Sequence, residues 1–206
     1  MTKIHVVKLG GSLEKSKQLI GCLNKIETLS QEMVIIVPGG GLFADNVRQS
    51  QQCWHFNDVI AHEMAILAMQ QMALLFQGLQ ANFQVLNLVN DIQKQIKIKA
   101  PFKIIWSPCI DELNEATIKA SWGVTSDSLA AWLAIQLHAS QLTIIKAINI
   151  PCLASLSQLE DQGIIDREFS FFVSEACFNI QIINANHFLD HCDFKQILEN
   201  SLVYPL

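Results

Sequence analysis

The chain has no C-x-x-C pair, no uninterrupted apolar run of membrane-spanning length and no surplus of basic residues. The charge balance is the most restrictive of these: 14 Lys and Arg stand against 19 Asp and Glu, a formal charge of -5. A nucleic-acid surface neutralises phosphates with a clustered basic face, so this balance speaks against nucleic-acid binding. A membrane span needs about 18 or more consecutive apolar residues, so no span and no membrane partner are expected. No secretory leader is read at the N-terminus. The six cysteines, Cys22, Cys53, Cys109, Cys152, Cys177 and Cys192, are therefore expected to be reduced, mostly buried thiols of a soluble cytoplasmic protein.

Three common site motifs are missing as well. The order G-x-x-x-x-G-K-[ST] of a P-loop is absent, and so is the G-x-G-x-x-G dinucleotide fingerprint. His62-Glu63 does not open a zinc motif, because Ile66 stands where H-E-x-x-H requires its second histidine. His187, His191 and Cys192 cluster without a second group of ligands, so no resident metal site is predicted.

What the chain does have is two glycine-rich turns, each directly after a short apolar run: Val6-Val7-Lys8-Leu9-Gly10-Gly11-Ser12-Leu13 and Val34-Ile35-Ile36-Val37-Pro38-Gly39-Gly40-Gly41. Glycines at the end of a buried strand let backbone N–H groups approach an anion, and a following helix adds its positive dipole end. Lys8 sits on the first strand itself, where a cation can meet a transferred phosphoryl group. The bland alternative is that glycines merely end αβ turns.

Strand-like Ile4–Leu9, a helix over Lys15–Leu29 and strand-like Met33–Val37 make a βαβ unit, which implies parallel strands. Helical patterns follow at Leu42–Gln52 and Asp58–Leu79, then strand-like Gln84–Leu88 and Lys103–Trp106. A helix over Ser128–His138 has Ser126 or Asp127 as its candidate cap, and strand-like Leu142–Lys146 and Ile180–Ile183 precede a terminal helix over Phe188–Glu199. At 206 residues and 50% hydrophobic, this reads as one α/β domain with a mainly parallel sheet covered on both faces. Apolar residues occupy nearly every face of Asp58–Leu79, which predicts a helix buried all round, covered by a second copy of the chain in a homodimer or higher homo-oligomer. The competing reading makes it the central helix of a monomer.

These residues resemble the amino acid kinase superfamily, with its carbamate kinase-like, three-layer αβα fold. The resemblance rests on the two glycine turns, on Trp122-Gly123-Val124-Thr125-Ser126-Asp127-Ser128-Leu129-Ala130-Ala131, on Gly41-Leu42-Phe43-Ala44-Asp45-Asn46-Val47-Arg48 and on His62-Glu63-Met64-Ala65-Ile66-Leu67-Ala68-Met69. The matches run in the family's order from about Lys3 to Lys146 and are similar to the branch of (aminomethyl)furanmethyl-phosphate kinases of methanofuran biosynthesis, a part of C1 metabolism.

The resemblance implies ATP-dependent transfer of the γ-phosphoryl group to a small acceptor that itself carries a phosphate, with Mg²⁺ arriving on the ATP. It assigns Lys8 and Lys146 to the γ-phosphoryl oxygens, Asp127 to orienting the two lysines, and Gly10, Gly11 and Ser12 to the ATP phosphates. Gly39, Gly40 and Gly41 would face the acceptor, with Arg48 on its phosphate, Asp45 on its amine and His62 lining its site. It divides the chain into an acceptor and phosphate lobe, about residues 1–140, and a shortened nucleotide lobe, about 141–206. Each residue has a plainer role open to it: Lys8 and Lys146 reaching solvent, Asp127 capping a helix, Asp45 pairing with Arg48, and His62 as a hydrogen-bonded core residue.

The departures are C-terminal. Lys146-Ala147-Ile148-Asn149-Ile150-Pro151 lacks the aspartates and glycine of the family's nucleotide loop, and Asp166 or Arg167 in Gly163–Phe169 is a candidate contact to nucleotide or acceptor. A uridylate-type nucleoside monophosphate kinase and a non-catalytic nucleotide- or anion-binding module are the alternative functions.

Overall fold

The sheet is organised around its first strand, β1 (Ile4–Leu9), an unbroken apolar run but for the two ends of its polar pattern, His5 and Lys8. A computed structural model of the protein describes residues 3–29, 32–151, 154–174, 176–190 and 203–204. β1 lies between β2 (Met33–Pro38) and β5 (Gln141–Lys146), parallel to both. Outside β2 come β4 (Phe102–Trp106) and β3 (Gln84–Leu86), and outside β5 come β6 (Asn179–Asn184) and β7 (Val203–Tyr204), giving the order β3-β4-β2-β1-β5-β6-β7. All pairings are parallel except that of β7, which runs antiparallel to β6 at the edge. Both faces are covered, as expected of strands whose residues are apolar without alternation. The fold is the predicted three-layer αβα arrangement.

On one face Val6, Ile35, Ile104 and Ile144 pack under α7 (Ser126–Gln136), whose Leu129, Ala130, Leu133 and Ala134 are fully buried. On the other, Val7, Leu9, Val34, Ile36 and Ile145 pack under α2 (Leu19–Thr28) and α10 (Ala185–Asp190). Cys22 joins that second core, where burial pushes its thiol up to about 12, so it is an inert packing group. Cys53 and Cys177 are exposed and Cys109 half-buried, which corrects the expectation of mostly buried thiols; Cys152 and Cys192 lie outside the described residues, as does His191.

The predicted helix over Lys15–Leu29 is two helices, α1 (Ser12–Lys15) and α2, separated where Lys17 takes φ 59°, a left-handed turn that a continuous helix cannot contain. α7 begins two residues earlier than predicted, with Thr125 at its N-cap, so neither Ser126 nor Asp127 is the cap. The segment after Asp190 of the predicted terminal helix lies outside the described residues.

α3 (Gly41–Trp54) and α4 (Asp58–Leu79) follow the second glycine turn. α4 starts where predicted because Asn57 Oδ1 accepts from Ile60 N at 3.0 Å. It is not buried all round: Ile66, Met69, Met72 and Phe76 enter the core, whereas Ile60, Leu67 and Leu74 form a stripe on its outer side, Leu74 being 63% exposed. By length and composition α4 would suit a membrane span, yet its buried side is a layer of this fold.

The two glycine turns meet backbone to backbone. Gly39 N donates to Leu9 O at 2.8 Å and Gly10 N to Ile145 O at 2.9 Å, tying the ends of β2, β1 and β5 together. A Cβ on Gly11 would stand 2.5 Å from Gly41 N, and Gly41 itself has φ +54°. Gly11→Ala is therefore expected to force the turns apart and to lower stability by about 1–3 kcal/mol, the usual range for overpacking a tight junction. A urea denaturation midpoint unchanged from that of the wild type would contradict this close approach.

Candidate active site

Lys8 is the penultimate residue of β1 and Lys146 the last of β5. Lys8 is level with Ile144 across the ladder, and Lys146 lies two residues further along, so both side chains leave the sheet on the face that α7 covers. α7 brings Asp127 in its first turn to the same place. Asp127 Oδ1 lies 2.7 Å from Lys8 Nζ and Asp127 Oδ2 lies 2.6 Å from Lys146 Nζ. The side chains of Lys8 and Asp127 are 4% and 3% exposed, so this is a buried cation–carboxylate–cation array.

Burial alone would raise the carboxyl of Asp127, but Lys146 and then Lys8 outweigh it and hold the group at about 2. Burial lowers Lys8 below the ordinary lysine range despite Asp127, with Lys146 adding to the fall. Two ammonium groups around one carboxylate leave one positive charge within the trio, the condition for attracting an anion in a water-poor site.

Asp166 completes the array from behind. Its Oδ2 accepts from Thr125 N at 2.7 Å and Ser128 N at 2.9 Å, and its Oδ1 accepts from the Thr125 hydroxyl. It thus caps α7 from a distant loop, doing for the first-turn amides what the Thr125 side chain does not do. Burial, with the nearby Asp127 charge second, raises the carboxyl of Asp166. Arg167 points away, exposed.

The trio lies at one side of a cavity of about 420 Å³, a size suited to a small ligand. Gly11, Ser12, Gly40 and Gly41 line it, while Gly10 and Gly39 do not; their N–H groups serve the strand junction behind the wall. Asp45, Arg48 and His62 line it too, so the structure brings these three predicted residues into one wall. Their partners differ from the simple helix pair open to them from the sequence. Asp45 pairs with Lys15 at 2.7 Å, and Arg48 stacks on Trp122 with its guanidinium carbon 4.1 Å from the ring centre. Trp122 Nε1–H donates to Gln51 Oε1 at 2.6 Å, and Gln51 Nε2 donates to Asp58 Oδ1 at 2.9 Å. His62 is buried with an unpartnered Nε2, and burial lowers its pKa against the pull of Glu63. Gln51 and Asp58 carry no motif of their own, so the sequence offered no signal for them.

Comparison with known proteins agrees with this geometry. Residues 3–149 match the amino acid kinase family. The chain belongs to that family. The kinase is 26% identical over 202 residues to the [5-(aminomethyl)furan-3-yl]methyl phosphate kinase of Methanocaldococcus jannaschii, with 89% of each chain covered. Among solved structures it is similar to the UMP kinase of Ureaplasma parvum, at 17% identity with all of both chains covered and a TM-score of 0.72. It is also similar to the uridylate kinase of Archaeoglobus fulgidus, at 15% identity with 98% of each chain covered and a TM-score of 0.67. The kinase is a phosphotransferase acting on small molecules, with ATP as the donor its family implies.

Because Asp166 holds the α7 turn that carries Asp127, Asp166→Asn is expected to lower kcat about tenfold or more, the scale of one charge-assisted hydrogen bond, with little change in either substrate's KM. Steady-state kinetics on the purified variant would check this, and a wild-type kcat would show that α7 needs no such cap.

Proposed function

We propose that the protein phosphorylates a small phosphomonoester, of the class of [5-(aminomethyl)furan-3-yl]methyl phosphate, to a diphosphate in the cytoplasm. The reading is carried by one observation: a buried Lys8–Asp127–Lys146 trio lining the same cavity as an arginine, Arg48, with no carboxylate partner among the described residues. A furanylmethyl phosphate is the acceptor in the name of the Methanocaldococcus jannaschii relative.

In this proposal an oxygen of the acceptor phosphate attacks the γ-phosphorus of ATP. The new P–O bond forms as the bond to the β-phosphate oxygen breaks, and ADP leaves with the electron pair. Lys8 and Lys146 neutralise the oxygens of the transferring group, and Asp127 keeps the two ammonium groups in place. No protein base is required, since the attacking oxygen is already anionic. Gly11 and Ser12 give the donor phosphates a wall without bulk, Gly10 and Gly39 set the turns behind it, and Arg48 holds the acceptor phosphate beside Gly40 and Gly41. Residues 1–140 act as the acceptor and phosphate lobe and 141–206 as the nucleotide lobe.

Mg²⁺ would arrive on the nucleotide phosphates, keeping several waters, and would supply further neutralisation of phosphate charge.

Two measurements test the reading. Turnover of ATP with phosphorylated aminomethylfurans and with nucleoside monophosphates is expected to favour the furans; activity confined to UMP would transfer the protein to the uridylate-type alternative, and no turnover at all would leave a binding module. Lys8→Ala should lower kcat by about 10²–10³ with the fold intact, because it removes charge stabilisation felt most in the transition state.

We also propose a homodimer or a multiple of it. The outward stripe of Ile60, Leu67 and Leu74 on α4, beside Trp54 at 78% exposure, is an apolar face of the kind that obligate interfaces bury. Light scattering over a dilution series should give at least twice the monomer mass, with Leu74→Glu shifting it toward monomer; a wild-type monomer at every concentration would refute the assembly.

A further inference from the structure

The cavity is lined by four aspartates, and three are already answered. Asp127 lies between Lys8 and Lys146, Asp166 takes the amides of α7, and Asp45 is held by Lys15. Asp58 differs: among the described residues no cation lies within ion-pair distance of it, and the hydrogen bond it receives comes from the neutral amide of Gln51. Arg48 is its counterpart, a cation of the same wall whose contact is the face of Trp122. Gln51 joins the two, since it accepts from the Trp122 indole and donates to Asp58. One cation and one anion, both exposed and neither paired with an opposite charge among the described residues, are thus fixed apart on one cavity by a neutral linker.

His62 supplies a second, independent mark. It stands one turn after Asp58 on α4, at the spacing that places two side chains on the same helix face. The residue is 7% exposed, lines the cavity, and has a buried Nε2 with no hydrogen-bond partner. A buried polar atom left without a partner costs free energy unless a ligand or water meets it.

We infer that Asp58 and His62 form an ammonium-binding subsite, so that the acceptor is a zwitterion whose phosphate meets Arg48 and whose protonated primary amine donates to the Asp58 carboxylate and to His62 Nε2. This rests on the phosphomonoester reading above and moves amine recognition from Asp45, whose carboxylate Lys15 occupies, to Asp58. Gln51 holds the Asp58 carboxylate in register with the Trp122–Arg48 stack, which sets the separation of the two charges the site accepts.

The test compares [5-(aminomethyl)furan-3-yl]methyl phosphate with its 5-methyl analogue in the intact enzyme. The wild type is expected to prefer the amine by about tenfold or more in kcat/KM, the scale of a charge-assisted hydrogen bond. Asp58→Asn should lose that factor on the amine while staying within about twofold on the methyl compound, the pattern of a lost substrate contact rather than a damaged fold. Asp58→Glu should recover part of the preference. Equal losses on both compounds, or a preference abolished by Asp45→Asn and kept in Asp58→Asn, would overturn the assignment. A wild-type enzyme that phosphorylates nucleoside monophosphates and neither furan would refute the acceptor reading itself, and the subsite with it.

Discussion

A carboxylate buried between two lysines is a poor way to stabilise a protein and a good way to hold charge where water is scarce. Taking three ions out of water costs several kcal/mol each, and their mutual attraction returns most of it only if all three stay together. Removing one partner leaves a buried charge unanswered. The surrounding structure is arranged accordingly: Lys8 and Lys146 come from adjacent strands, and Asp127 comes from the first turn of α7, where the helix dipole adds to the pull of the lysines. Asp166 then fixes that turn by taking its free amides, so the position of one carboxyl group depends on two strands, a helix and a loop 38 to 41 residues further along the chain.

The topology explains why the array lies there. From β1 the chain runs outward to β2, then to β3 and β4, and returns to place β5 on the other side of β1. Connections therefore leave β1 and β5 in opposite directions, and a crevice opens beyond their carboxyl ends, the usual place for a ligand in a parallel sheet. The two lysines stand at those ends. The interlocked glycine turns fix the second turn relative to them through backbone contacts, Gly11 against Gly41 and Gly39 against Leu9.

The sequence made the central sheet and the two turns legible because those signals are local, apolar runs and glycine clusters, whereas the trio of Lys8, Asp127 and Lys146 was legible only through the resemblance to the amino acid kinase superfamily. It did not make legible what depends on distant partners. The Trp122–Gln51 hydrogen bond spans 71 residues and the Asp45–Lys15 pair 30, and neither has a periodicity to betray it. α5 (Val89–Lys97) has Val89, Ile92 and Ile96 at helical spacing but runs for nine residues only, and α6 (Ile110–Glu115) for six, both shorter than the window over which a periodic pattern separates helix from loop. The apolar richness of α4 was plain, but its division into a core side and an outer stripe is set by which neighbours the fold supplies. The break at Lys17 escaped because a left-handed lysine leaves no mark in composition.

The trio also sets stability and activity against each other on the alkaline side. Asp127, held at about 2 against an unfolded value near 3.9, favours the folded state above about pH 4, and that contribution is lost as pH falls toward 2. Lys8 has the opposite sense. Its value is lowered in the fold, so between that value and about 10.4 the unfolded chain binds more protons than the folded one, and stability rises with pH. In the same window Lys8 loses the charge that its proposed role on the transferring phosphoryl group would require. Within the Lys8 contribution, the pH change that eases its burial is therefore the change that disarms it, which is the relation expected of a lysine kept for its charge rather than for the stability of the fold.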